Sequence, residues 1–172
     1  MPGIDGMTRT YRLNASVRIA KYSALINDAT DTTEITGALF VKLPTGSNQG
    51  PVQGVTIEHW LEPGTFYQED TDPSTITGTT PNVPYNASMG GTGLQIGPTL
   101  QIRGQARCYA AQAFNAGQIV VIADAYGRVN TPANLSISGG TTIYPVGIAV
   151  SAAAAINNVV LVDLDFFPVP YI

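Results

Sequence analysis

Few residues of this chain could take part in catalysis, and the two strongest candidates for a nucleophile or a base are each the single residue of their type. His59 is the only histidine, so any Ser-His-Asp triad must use it, yet no Gly-x-Ser-x-Gly elbow is present to hold a serine. Cys108 is the only cysteine, and its flanks, Ala106-Arg-Cys-Tyr-Ala110, are typical of a β-strand rather than of an activating helix N-terminus. We therefore predict a small buried hydrophobe at Cys108 and no nucleophilic enzyme.

The neighbours of His59 have the chemistry of metal ligands but the wrong local pattern. Glu58, His59 and Glu62 would converge on a metal only if they lay on a helix. The segment 54–63 is instead typical of a strand that runs into a turn, which places Glu58 and His59 on opposite faces. We expect a solvated edge here and no metal.

Two further groups of acidic residues are better explained as solvated surface than as binding or catalytic sites. Glu69, Asp70 and Asp72 could offer oxygen ligands to Ca²⁺, but they lack the spacing and the glycine of an EF-hand. We expect a solvated loop, with a contact to a basic segment of a neighbouring copy as the alternative. Asp163 and Asp165 alternate with apolar residues, so they lie on one exposed strand face, although paired carboxylates also serve glycosidases. We predict no catalytic residue, no metal and no cofactor.

The composition indicates a β protein with much covered surface. Of the 172 residues only 12% are charged, about half the usual share, and there are 18 glycines and 12 prolines. Short strands joined by many turns have this composition, and so little charge favours burial against copies of itself or a partner. The net charge of −4 argues against nucleic-acid binding. We expect no membrane span and no signal peptide, so the protein should be made and kept in a cytoplasm or be released by lysis.

The N-terminal region alternates as a half-buried strand. Apolar and aromatic residues occupy every second position from Tyr11 to Ile19, and arginine or small polar residues lie between them. One interpretation is an ordinary first strand with a frayed terminus. The other is a docking arm that adds to the sheet edge of a neighbour. Its contact residues would be Tyr11, Arg12, Leu13, Val17, Arg18 and Ile19.

The middle of the chain is rich in loops and poor in charge. No lysine or arginine occurs between residues 43 and 102, and no charge of either sign between 73 and 102. The segment 81–93 cannot be a helix, because proline and glycine recur through it. It is either a contact loop that uses Tyr85 and Met89 or a plain mobile loop.

The C-terminal part contains the clearest strand signals. We predict strands over 100–111, 118–123, 144–150 and 159–164, after earlier ones over 35–43 and 52–61, with 24–34 left open between turn and short helix. Asp124-Ala-Tyr-Gly127 should form a tight turn with a positive φ at Gly127. The tail should be extended, and its aromatic residues should seal this chain's core or an oligomer interface: Phe166, Phe167 and Tyr171.

These elements predict an all-β protein: a compact β-barrel or β-sandwich-like domain with an extended N-terminal arm and a long loop insertion. We divide it into residues 1–46 (arm and first strands), 47–100 (loop-rich, acidic to uncharged) and 101–172 (β core with apolar tail).

The order of motifs between about residues 105 and 165 resembles that of the decoration, or cement, proteins of tailed bacteriophage heads. An Ala-Gly precedes an apolar strand, an Asp-x-x-Gly turn follows it, and a Pro-x-Gly-x-Ala strand, an alanine-rich loop and a Val/Leu strand complete the series. The matching positions are Ala116-Gly117, Asp124 to Gly127, Pro145 to Ala149, Ala152 to Ala155 and Val159 to Leu164. The resemblance implies a compact β fold without catalysis, attached to the outside of the mature head.

The resemblance also implies the partners. These would be the major capsid protein and further copies of the chain itself, usually as a homotrimer and alternatively as a dimer, made in the cytoplasm of a bacterial host. The expected function is a structural virion protein that bridges capsid subunits and stabilises the shell against the pressure of internal DNA. The alternatives are another β-rich virion part, such as a head fibre base or tail protein, or a carbohydrate-binding adhesin module. The long arm and residues 44–100 depart from the simplest members of that family.

Overall fold

The computed structural model describes residues 7–10, 19–28, 41–57, 66–67, 78–79 and 99–172. Every regular element in these ranges is a β-strand, which confirms the all-β fold class. Fourteen strands occur there: β1 (Thr8–Thr10), β2 (Ala24–Asn27), β3 (Val41–Lys42), β4 (Val52–Thr56), β5 (Phe66–Tyr67), β6 (Gly78–Thr79), β7 (Thr99–Gln101), β8 (Gln105–Tyr109), β9 (Ile119–Ile122), β10 (Val129–Asn130), β11 (Thr142–Ile143), β12 (Pro145–Ala149), β13 (Val159–Leu164) and β14 (Val169–Pro170).

Five of these strands form an antiparallel N-terminal sheet in the order β1-β7-β4-β2-β3. It draws strands from both sides of the boundary expected at residues 46–47. Strand β2 lies in a segment that the sequence left open between turn and helix. Its residues do not alternate with polar ones because both of its faces are buried: Ala24 and Ile26 face one core cluster and Leu25 faces another. Loss of the period-two pattern is what strands buried on both faces show.

Five other strands form an antiparallel C-terminal sheet in the order β10-β9-β12-β13-β8. Its two edges approach each other at one end, through a single parallel bridge between Ala110 and Val129 and a bond from Ala111 N to Val129 O of 2.9 Å. That one bridge does not close the sheet into a barrel. The described domain is therefore sandwich-like, with two open sheets.

The strand predicted over 100–111 is wrong in one respect, because the chain turns a corner within it. Residues 99–101 belong to the N-terminal sheet and residues 105–109 to the C-terminal sheet. Gly104 has a φ of +79°, which glycine adopts readily, and Gln101 Nε2 donates to Gln105 O at 2.6 Å across the corner. Apolar residues continue on both sides of Gly104, so the pattern alone resembles one long strand.

The main core lies between the two sheets and is made of small aliphatic side chains. Its members come from β2 and β4 on one side and from β8, β9, β12 and β13 on the other. The largest of these side chains are fully buried, and each contributes about 1.5–3 kcal/mol relative to exposure. A second cluster covers the opposite side of the N-terminal sheet and contains Ile19, Leu25, Val41 and Leu100.

The loop between β3 and β4 is fastened to the C-terminal sheet by Asn48. Its backbone N donates to Ile122 O at 2.8 Å, its Nδ2 donates to Thr142 O at 3.0 Å, and its Oδ1 accepts from Tyr144 N at 3.0 Å. Asn48 has a φ of +50°, a conformation that asparagine tolerates better than most residues. One residue thereby bonds the loop to three positions of the facing layer.

The turn from Asp124 to Gly127 forms as predicted and joins the two sheets. Gly127 N donates to Asp124 O at 3.2 Å, and Gly127 has a φ of +74°. Its carbonyl accepts from Ala24 N at 2.9 Å, so the turn lies directly against β2. A Cβ atom at Gly127 would stand 2.5 Å from Ala24 O, which leaves glycine as the residue that fits without displacement.

Candidate functional site

The outer face of the C-terminal sheet is aliphatic where a solvated sheet face would be polar. Antiparallel sheets with one face in water normally alternate apolar residues inward and polar residues outward. Here Ile119, Ile148, Val150 and Val159 are 41%, 47%, 45% and 48% exposed, and Leu161 among them is partly exposed. We call these five residues the aliphatic face.

The strand register makes the aliphatic face contiguous. Ile148 of β12 lies opposite Ile119 of β9, and Val150 N donates to Leu161 O of β13 at 2.7 Å. Val159 precedes Leu161 by two residues on the same side of β13, since side chains alternate along a strand. Directly opposed side chains on one face lie about 4.5–5.5 Å apart at Cβ, so these residues contact or nearly contact each other.

Two opposite charges flank the aliphatic face on its β13–β8 side. Arg107 of β8 lies opposite Leu161, and Asp163 of β13 lies opposite both Ile148 and Gln105. Arg107 and Asp163 are therefore diagonal neighbours on one face, and both are exposed. Within the described part of the chain neither of them forms a salt bridge.

A small pocket adjoins Arg107 at the junction of the two sheets. Its volume is about 120 Å³, and its lining comprises Tyr22, Thr56, Ile57, Gln101, Gln105, Ala106 and Arg107. The Tyr22 ring lies 5.6 Å from that of Tyr109 and receives a long 3.5 Å hydrogen bond from Arg107 Nη1 at its hydroxyl. Pockets for small-molecule ligands are usually 300–1,000 Å³. This one suits a few waters or a single inserted side chain.

Cys108 lies inside the main core, as its flanks predicted. It is fully buried, and burial raises the pKa of its thiol to about 12, so at neutral pH it is a thiol and not a nucleophilic thiolate. Among the residues that the structure describes, no three His, Cys, Asp or Glu side chains are grouped as metal ligands would be. His59 and the acidic residues 58, 62, 69, 70 and 72 lie outside the described ranges. Asp163 and Asp165 are both exposed, as expected of one strand face.

Most of the predicted arm and the whole predicted contact loop lie outside the described residues. This holds for Tyr11, Arg12, Leu13, Val17 and Arg18, and for Tyr85 and Met89. The two ends of the arm are described, and both belong to this chain's own fold. Residues 8–10 pair with β7, and Ile19 is fully buried in the cluster that contains Leu25. Ile19 is therefore a core residue of this chain with no exposed side-chain surface, while the docking role of the arm stays a prediction.

The three tail residues have different surroundings. Phe166 is partly buried and packs against the main core, whereas Phe167 is 77% exposed. Tyr171 is partly buried, and its backbone N donates to Thr141 O at 2.9 Å beside the β11–β14 pair. The tail is thus extended and edge-paired, and only Phe166 among the three packs on the core cluster.

No family model matches this chain, and no curated protein matches it in sequence. The part of the chain described by the structure contains no helix with the length and apolar character needed to cross a membrane.

Proposed function

We propose that this chain is a structural virion protein that binds the outer surface of an assembled phage head and bridges subunits of the major capsid protein. The observation that carries the proposal is the aliphatic face, a contiguous exposed apolar surface of the kind that marks contact sites on proteins. The motifs that resemble decoration proteins are the same residues that build this sheet and its turns. Function through contact rather than catalysis also fits the low charge content.

The area of the aliphatic face sets the strength of a single contact. Its side chains are about half exposed, so covering each one gains about 1 kcal/mol, or roughly 5 kcal/mol for the face. Association costs an estimated 4–15 kcal/mol in lost freedom of movement. One face on one capsid subunit therefore binds weakly, and stable attachment needs several contacts made together.

Because several contacts must be made together, the protein should bind the assembled shell and not free capsid subunits. A protein that contacts two or more neighbouring subunits binds only where these are already held side by side. By mass action such binding stabilises the assembled state and opposes separation of the joints under internal pressure. The arm residues Tyr11 to Arg18 remain the proposed second contact of each copy.

The test is to count copies of this protein in purified particles of the encoding phage, by quantitative mass spectrometry against the major capsid protein. A one-to-one ratio, or a simple fraction of it, supports a lattice-covering cement protein. A few copies per particle would overturn the proposal in favour of a fibre base or tail part. Absence from the particles would also overturn it, and a glycan array would then test the adhesin alternative.

Attachment through the aliphatic face has its own test. Particles grown with Val150→Asp should lose bound protein at moderate salt, because a buried carboxylate cannot be solvated in the contact. Ile156→Asp is the matched control, since Ile156 is 54% exposed but lies on the loop before β13 rather than on the sheet. Equal occupancy of the two variants would exclude the aliphatic face as the attachment surface.

A further inference from the structure

We propose that the aliphatic face binds the same face of a second copy of this chain across a two-fold axis, with Arg107 of each copy paired to Asp163 of the partner subunit. The inference concerns the protein in solution and does not depend on the proposed function, because two copies can pair where no capsid is present. On a particle the capsid subunit would replace the second copy on this face, so each copy uses the face for one partner at a time.

The composition of the face is the first argument. All five of its members are Ile, Val or Leu, and Asp163, directly opposite Ile148, lies at their border. Contiguous exposed apolar surface of this kind, bordered by polar residues, marks contact sites on soluble proteins. An aliphatic surface is complementary to itself, so the same face of a second copy can cover it.

The charges that border the face are the second argument, and they identify the occupant. At an interface between unrelated proteins, the complementary charges lie on two different surfaces. This border instead carries one cation, Arg107, and one anion, Asp163, on neighbouring strands. Neither has an ion-pair partner in the described part of its own chain. A border with one charge of each sign is complementary to a rotated copy of itself.

The register fixes the axis. Arg107 and Asp163 are diagonal neighbours, and such pairs lie about 7–8 Å apart. A two-fold axis in the plane of the contact, midway between them, exchanges their positions. Each Arg107 then lies over Asp163 of the partner subunit, and one axis creates two ion pairs. The same rotation leaves Leu161 and Val150 close to their own counterparts, so the aliphatic residues meet in the middle of the contact.

A charge exchange tests this arrangement. The mass of the full-length protein would be measured by sedimentation velocity from about 1 µM to about 1 mM, a range that covers weak and moderate dimers. We expect a monomer–dimer equilibrium for the wild type, weakened about tenfold or more by Arg107→Asp or Asp163→Arg alone. The double variant with both changes should recover dimerisation to within about threefold of wild type.

Two further variants separate contact from folding. Val150→Thr keeps the shape of the side chain but adds a hydroxyl in the middle of the contact, so it should weaken the dimer, while Ile156→Asp on the neighbouring loop should not. Far-UV circular dichroism would show that each variant is folded.

A monomeric wild type throughout the concentration range, a trimer, or a double variant no better than the single ones would overturn the proposal. Dimerisation in solution of a protein that is absent from virions would refute the capsid function and leave this inference standing.

Discussion

Replacement of Asn48 by alanine should be among the most damaging single changes outside the core. Asn48 bonds the β3–β4 loop to the C-terminal sheet through both ends of its amide, to Thr142 O and from Tyr144 N, each at 3.0 Å. It also holds a φ of +50°. Alanine would remove both side-chain bonds and would have to adopt a left-handed conformation that its Cβ disfavours.

The magnitude follows from these two losses. Each hydrogen bond contributes a net of about 1 kcal/mol, and the left-handed conformation costs alanine about 1 kcal/mol. Asn48→Ala should therefore lower the free energy of unfolding by about 3 kcal/mol, or the melting temperature by about 6–12 °C. Asn48→Gly should lose about 2 kcal/mol, because glycine adopts positive φ without strain. Asn48→Asp keeps the acceptor for Tyr144 N but places a carboxylate oxygen against Thr142 O in place of a donor, so it should lose about 2 kcal/mol.

Urea denaturation followed by far-UV circular dichroism measures the series, with the midpoint and slope fitted for each variant. Ser47→Ala is the matched control, because Ser47 is the exposed neighbour in the same loop. If Asn48→Ala and Ser47→Ala were equally stable, the loop would not fasten the two sheets. If glycine and alanine at position 48 were equivalent, the assigned backbone cost would be wrong.

Three other expectations concern the turn, the buried thiol and the tail. Gly127→Ala should lower the free energy of unfolding in urea by more than about 3 kcal/mol, because its Cβ would meet a backbone carbonyl. Gly117→Ala, at φ +80° with open space around it, should lower it by only about 1 kcal/mol. Equal losses in the two variants would contradict the contact at Gly127. Burial raises the pKa of the Cys108 thiol from 9.0 to about 12, so unfolded chains should release its proton first. The free energy of unfolding should then fall by about 1.4 kcal/mol per pH unit from pH 9 towards 12. That part of the pH dependence should be missing from Cys108→Ala, and identical slopes would show that the thiol is not buried. Phe166→Ala should lose about 2 kcal/mol in the same assay and Phe167→Ala almost nothing; the reverse order would refute the tail assignment.

The predictable part of this fold is the part in which local sequence decides the structure. The turn before Arg128 follows from an Asp-x-x-Gly pattern, and β13 follows from a run of β-branched residues bounded by asparagines and an acidic end. The edge-paired tail follows from its two prolines, which cannot donate to a ladder. These signals act within a few residues, so they can be recognised without knowing what the rest of the chain contacts.

The unpredicted part depends on what each segment faces. Strand β2 was left open because burial on both faces removes the alternation that identifies a strand. The corner at Gly104 was missed because apolar residues continue across it into a different sheet. The aliphatic face was missed for the opposite reason: the apolar runs of β12 and β13 indicate burial on both faces, and the fold of one chain buries only one. In the proposed assembly, a partner covers the other face.

The connectivity of the strands affects the order in which the two sheets fold. In the C-terminal sheet, β9 and β10 and likewise β12 and β13 are neighbours along the chain, joined by short connections. In the N-terminal sheet, β1 must find β7 about ninety residues later, and closing so long a loop costs conformational entropy before any contact forms. The hydrogen bond from Ala24 N to Gly127 O also requires the turn at Gly127 to have formed first. We therefore expect the C-terminal sheet to nucleate folding and the N-terminal sheet to assemble on it, so that during synthesis the first strand leaves the ribosome long before its partner exists.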